Sequence, residues 1–167
     1  MNNKVVITNS QTKEKIPSGM RLLIRRCCNA VLNKEKILSP VEISISLIDN
    51  EEIKRLNGEF RGKPVETDVL SFPLYEKEQI ESFKNMKTPF ALGDIALSVE
   101  KAFKQASIYN HSIQREIAFL VVHSMLHLLG YEHEKGGLQE VYMREKEEAI
   151  LVQLGLSRGF NYIIDEV

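Results

Sequence analysis

The residues in this chain best equipped for chemistry lie together in His123-Ser124-Met125-Leu126-His127-Leu128-Leu129-Gly130-Tyr131-Glu132-His133, which holds three of the four histidines. Upstream, Ile113, Ile117, Leu120 and Val121 recur between polar Gln114, Arg115 and Glu116, a spacing that predicts an amphipathic helix ending in the first two histidines. Four helical residues advance the chain by about 6 Å and return to nearly the same azimuth, so His123 and His127 share one face. Two imidazoles there can converge on one ion at metal–nitrogen distances of roughly 2.0–2.1 Å. Gly130 lacks a Cβ and can turn the chain in the left-handed conformation just past the helix end, which returns His133 as a third ligand.

The ligand count also argues the kind of site. Structural zinc is usually closed by four protein ligands, often including cysteine, whereas three histidines leave a position for water. Neutral imidazoles cancel none of the ion's charge, so a coordinated water can fall towards a pKa of about 7 and supply hydroxide at neutral pH. The expectation is one Zn2+ per chain on His123, His127 and His133. The plainer alternative is a set of packed histidines, each hydrogen-bonded to an ordinary partner. That alternative needs three separate partners and leaves the turn glycine unexplained.

The histidine spacing is that of the metzincin peptidases, H-E-x-x-H-x-x-G-x-x-H, but Ser124 stands where their general-base glutamate follows the first histidine. The wording more closely resembles the YbeY family of single-domain metal-dependent endoribonucleases, H-G-x-L-H-L-x-G-Y-D-H. Ser124 departs from the usual glycine and Glu132 from the usual aspartate, and neither is a ligand position. Arg61, before Thr67-Asp68-Val69-Leu70-Ser71-Phe72-Pro73, matches the arginine that precedes the family's T-D-V-L-S-F-P strand, and Leu92-Gly93-Asp94-Ile95 is similar to a third motif. The likeness runs from about residue 41 to 154.

That resemblance implies an α+β domain with the histidines beside the sheet and Arg61 near the metal. It also implies a zinc-dependent endoribonuclease acting on single-stranded RNA in maturation of the small-subunit ribosomal RNA 3′ end and in ribosome quality control, with RNA and the ribosome as partners. A guanidinium fork matches phosphate geometry, which suits Arg61 to charge developing on a phosphodiester; a surface ion pair with Glu59 or Glu66 is its alternative. Asp68, Ser71 and Asp94 are candidates to hydrogen-bond a ligand imidazole or to position substrate, or else simply to cap strand ends. Glu132 and Glu134 are candidate proton relays or solvated turn residues, and His111 marks the start of the histidine helix. A metallopeptidase and a non-catalytic ribosome-assembly factor with a structural metal are the competing functions.

These residues need a scaffold. Lys4 to Thr8 predicts an edge strand, and Met20, Leu23, Cys27 and Val31 a helix after Pro17. The strict alternation from Val41 to Leu47 predicts a half-buried strand. Asp49 and Glu52 read as a helix cap, with the helix breaking near Gly62 and Pro64. The resemblance implies a strand over residues 67–73, and residues 91–98 form a further strand-like stretch. The charged stretch from Glu76 to Lys87 reads as a weak helix or a loop. Helices are expected over Val99–Tyr109, Ile113–Leu129 and Leu138–Leu154, with Gly155 as a stop. The sum is one α+β domain over residues 1–167, a small mixed sheet of about four strands with about five helices.

Composition bounds the rest. At 167 residues and 43% hydrophobic content the chain suits one domain with its own core. No apolar run approaches the ~20 residues of a membrane span, and the first residues lack a signal-peptide core, so the cytoplasm is expected. A net charge of −1 is not the basic footprint of a general nucleic-acid binder, which leaves RNA recognition to local groups such as Arg21, Arg25 and Arg26 or Arg61. The first three are equally consistent with a solvated helix face. Adjacent Cys27 and Cys28 suit free thiols better than a mutual disulfide.

Overall fold

In chain order the computed structural model runs β1 (Lys4–Asn9), α1 (Met20–Lys34), β2 (Val41–Ile48), α2 (Asn50–Arg61), β3 (Val69–Pro73), α3 (Lys77–Phe83), β4 (Phe90–Ser98), α4 (Val99–Tyr109), α5 (Ile113–Leu128) and α6 (Leu138–Gln153). It describes residues 2–132 and 137–156. The strands form one mixed sheet in the order β1-β2-β4-β3, with β3 antiparallel to β4 and the other pairs parallel. A parallel pair needs a crossover, and α1 supplies it between β1 and β2.

The alternation along β2 sends Val41, Ile43, Ile45 and Leu47 to one buried face, where Ile95 and Leu97 of β4 join them. Helices α1 and α5 pack together in the core beneath that face. Most of α5 is buried, including Ile117, Leu120, Val121, Met125 and Leu128, each 0% or 1% exposed. At about 1.5–3 kcal/mol for each large apolar side chain, this burial holds the helix far more firmly than propensity does. Cys27 and Cys28 are free thiols sealed in the same core. Burial pushes both thiols well above the ordinary range and leaves them unreactive.

On the opposite face α2 shields Ile48, Leu70 and Ala96 with Ile53. Its start is set by Asp49, whose carboxylate accepts the Glu52 N–H at 2.9 Å, and its end by Gly62 at φ 68°. The segment 76–87 contains a sixth helix beyond the expected five. Glu76 and Gln79 form a capping box at the start of α3, and Ile80 anchors it at 3% exposure. Half-buried Phe83 and Met86 also pack against the core, and Ser39 donates to the Phe83 carbonyl and accepts the Met86 N–H, which together order so short a piece. The C-terminal tail after Arg158 lies outside the described residues.

Candidate metal and phosphate site

Helix α5 ends in a Schellman turn: Tyr131 N–H bonds the Leu126 carbonyl and Gly130 N–H bonds the His127 carbonyl, both at 3.0 Å. Gly130 is required twice over. Its φ is 96°, and a Cβ there would meet the Lys77 Cβ at 2.7 Å, so α3 can lie against the turn only because the side chain is missing.

On the last turns of α5 the Nε2 atoms of His123 and His127 approach to 3.0 Å. The other nitrogen of each ring is committed. His127 Nδ1 lies 2.8 Å from the Tyr131 carbonyl, and His123 Nδ1 hydrogen-bonds the Glu147 carboxylate of α6. A carbonyl and a carboxylate only accept, so each ring donates through Nδ1 and turns its Nε2 to the same place. Phe119 stacks on His123 with ring centroids 5.8 Å apart and backs its orientation. The third expected ligand, His133, lies outside the described residues, as does Glu134. Among the described residues no group of three His, Cys, Asp or Glu gathers as a metal set.

The two histidines open into a cleft of about 1250 Å³, bounded on its other side by Arg61, Asp68, Ser71 and the residues around the start of α3. The guanidinium of Arg61 touches the Ser71 carbonyl with Nη2 at 3.4 Å. Its expected surface partners are engaged elsewhere: Glu59 accepts from Arg55 at 2.8 Å and Glu66 from Lys101 at 3.3 Å. Asp68 accepts the Val69 N–H at 2.7 Å and the Gln105 amide at 3.3 Å. Gln105 leads on to buried Glu116 at 2.8 Å, and Glu116 to His111 at 2.6 Å. His111 therefore does more than mark the start of α5.

Asp68 and Ser71 reach the cleft, and exposed Glu132 lines it, but the imidazole partners are Glu147 and the Tyr131 carbonyl. Asp94 faces the other side of the sheet beside Ser44 and Ser46, away from the histidines. Ser124 is fully buried and its hydroxyl has no hydrogen-bond partner among the described residues, so it cannot serve as a base in the cleft. Arg21 is tied to the Ile7 carbonyl at 2.6 Å, outside the cleft.

Sequence reasoning missed Glu147, because a lone glutamate in a charged helix 24 residues downstream of His123 carries no local signal. It also missed the anchoring of Tyr131. The phenol donates to Glu35, whose second oxygen accepts from Lys146 at 2.9 Å. Burial first, and then the bond to Glu35, pushes the Tyr131 hydroxyl up to about 12, so it remains a donor at neutral pH. For Lys146, burial favours the neutral amine, but the hydrogen bond and charge of Glu35 outweigh it and raise the pKa above the ordinary lysine value.

Known proteins resemble this chain along most of its length. The chain is 49% identical over 158 residues to Endoribonuclease YbeY of Caldanaerobacter subterraneus subsp. tengcongensis, covering 92% of this chain and 99% of the relative. It is 43% identical over 167 residues to Endoribonuclease YbeY of Clostridium tetani, covering 93% and 99%. A solution structure from Thermotoga maritima, 26% identical, superposes with a TM-score of 0.58 over 90% of this chain and 91% of the other. The model of the family described as Endoribonuclease YbeY matches residues 6–155, and with these relatives it shows that the chain belongs to the YbeY family.

Proposed function

We propose that the chain is a zinc-dependent endoribonuclease that cuts single-stranded RNA, acting in maturation of the small-subunit ribosomal RNA 3′ end and in ribosome quality control in the cytoplasm. The observation that carries this reading is the pair of Nε2 atoms 3.0 Å apart, each ring held by its Nδ1, in the same cleft as Arg61. RNA as substrate comes from the names of the relatives.

The donor set fits a zinc-class ion. Two imidazoles converge through their Nε2 atoms, the face by which histidine can bind a metal, and each has the outer partner that such ligands keep. His133 would complete the set. When bound, the ion supplies Lewis acidity and acidifies water. The chain's own part is orientation and charge. Glu147 and the Tyr131 carbonyl hold both rings against rotation. Arg61 offers a planar, permanently charged fork across the cleft, suited to non-bridging phosphate oxygens as negative charge builds on them. Asp68, fixed by Val69 and Gln105, presents a carboxylate to the same space and is placed to accept from a substrate hydroxyl.

A metallopeptidase is not favoured, since the position of its general base is filled by buried Ser124. Elemental analysis of protein prepared without chelator, paired with digestion of an unstructured RNA, tests the reading: about one zinc per chain and metal-dependent cleavage are expected. Absence of metal, or cleavage indifferent to chelation, would overturn it.

A further inference from the structure

Tyr131 is attached at both ends to the site and its scaffold. Its carbonyl accepts from His127, while its phenol reaches Glu35, the C-cap of α1. Glu35 in turn takes Lys146 of α6, and the side chains of that pair are 11% and 18% exposed. Such a pair is screened far less by solvent than one on the open surface. The ammonium groups of Lys77 and Lys146 lie 4.9 and 5.4 Å from the Tyr131 ring centroid, which holds the ring as well as the hydroxyl.

The Schellman turn alone does not set the carbonyl. Its bond from Tyr131 N–H to Leu126 fixes the peptide before Tyr131, whereas the direction of the Tyr131 carbonyl depends on ψ beyond that point. A side chain fastened to two helices fixes the Cα and restricts that rotation. We propose that Glu35, Lys146 and the Tyr131 phenol form a brace that aims the Tyr131 carbonyl at His127 and so holds this imidazole with its Nε2 towards the cleft.

These three are positioning residues, acting through Tyr131 on His127. Lys146 adjoins Glu147 in α6, so neighbouring residues of one helix set the two rings: Glu147 directly for His123, Lys146 through Glu35 and Tyr131 for His127. The docking of α6 against α1 and α5 thereby becomes part of the site. The consequence for catalysis rests on the metal-site reading above; the consequence for the ring does not.

Nitrogen-detected NMR of the imidazoles in metal-free protein tests the brace directly. In wild type the His127 ring should show a slowly exchanging Nδ1–H. Tyr131→Phe and Lys146→Met should each lose that protected signal while the His123 Nδ1–H persists as an internal control. Zn2+ titration should show affinity falling by roughly 10-fold, the range for loss of a ligand's outer partner. Lys146→Arg should restore both, since it renews the bond to Glu35. RNA cleavage should fall in kcat with KM little changed. Should Tyr131→Phe prove poorly folded, Glu35→Ala is read in the same way. An unchanged His127 signal and Zn2+ affinity in folded Tyr131→Phe or Glu35→Ala would overturn the brace. A wild type that cleaves no RNA would instead sink the functional reading, and the His127 signal would still decide the brace.

Discussion

The two walls of the cleft are built on opposite plans. On the α5 wall both imidazoles are half-buried, and each Nδ1 is tied to a partner, Glu147 of α6 for His123 and the turn that ends α5 for His127. On the facing wall Arg61 is exposed, and its hydrogen bond to the Ser71 carbonyl, at 3.4 Å, is near the limit of such a bond. Metal ligation tolerates little error in ligand position, so fixing the rings during folding spares the cost of ordering them when an ion binds. A cation that meets developing charge on a flexible strand gains from reach instead. On the proposed reading the α5 wall would serve as a coordination frame, and the α2–β3 wall as an adjustable clamp.

The strongest way to break this contrast is to remove a ligand. His123→Ala or His127→Ala should abolish zinc retention and RNA cleavage together while the fold persists, because most of what stabilises α5 is its buried apolar face. Elemental analysis beside circular dichroism checks it. Zinc content equal to wild type in either variant would remove the histidine pair from the metal site.

Next in size is the clamp. Arg61→Ala should leave zinc content and melting temperature close to wild type and slow single-turnover cleavage by roughly 100-fold, the scale for loss of one electrostatic donor. Arg61→Lys should recover only part of this, since lysine keeps the charge without the planar fork. A wild-type rate in Arg61→Ala would make the arginine a bystander.

A smaller effect should come from Glu147→Gln, which keeps an acceptor for His123 Nδ1 but removes its charge. Zinc affinity should drop by about 10-fold. Because the Glu147 side chain is only 6% exposed, an apolar Glu147→Leu should lose more affinity, and a titration with a competing chelator would rank the two. Equal affinity for wild type and both variants would show that His123 needs no outer partner.

How much of this was visible beforehand follows the range of each signal. The α5 helix and its glycine stop were legible because apolar period and turn are encoded within a few residues, whereas its Ser112 cap emerges only in the structure. The same holds for the alternating β2, and for α2 with its cap at Asp49. Arg61 was found through a motif, not through any local physics of its own. The strand order was not legible, since pairing β2 with β4 depends on contacts some fifty residues apart that no local pattern records. Glu147, Glu35 and Lys146 were hidden for the same reason: a charged residue in a charged helix looks like surface until folding brings it to a ring or a phenol. Asp94 misled in the opposite sense, because strand alternation put it on the far face once the register was set.

Ser124 should give the smallest functional effect and the most informative stability change. It lies between the two histidines in sequence yet turns into the core, fully buried, with a hydroxyl that no described group satisfies. An unpaired buried hydroxyl costs about 1–3 kcal/mol of desolvation, and alanine removes it while leaving the methyl-sized Cβ and a better helix former. Ser124→Ala should therefore raise stability by about 1 kcal/mol and leave zinc content and cleavage rate unchanged. Ser124→Gly should fall below Ser124→Ala by about 1 kcal/mol, since glycine loses backbone entropy in a helix interior. Ser124→Glu should destabilise the protein outright, because the larger carboxylate would have to enter the packed core and not the cleft. Chemical denaturation of the three variants ranks them. Cleavage impaired by Ser124→Ala in a protein with full zinc would place the hydroxyl in the chemistry after all, and would mean that the boundary between core and cleft runs on the other side of this residue.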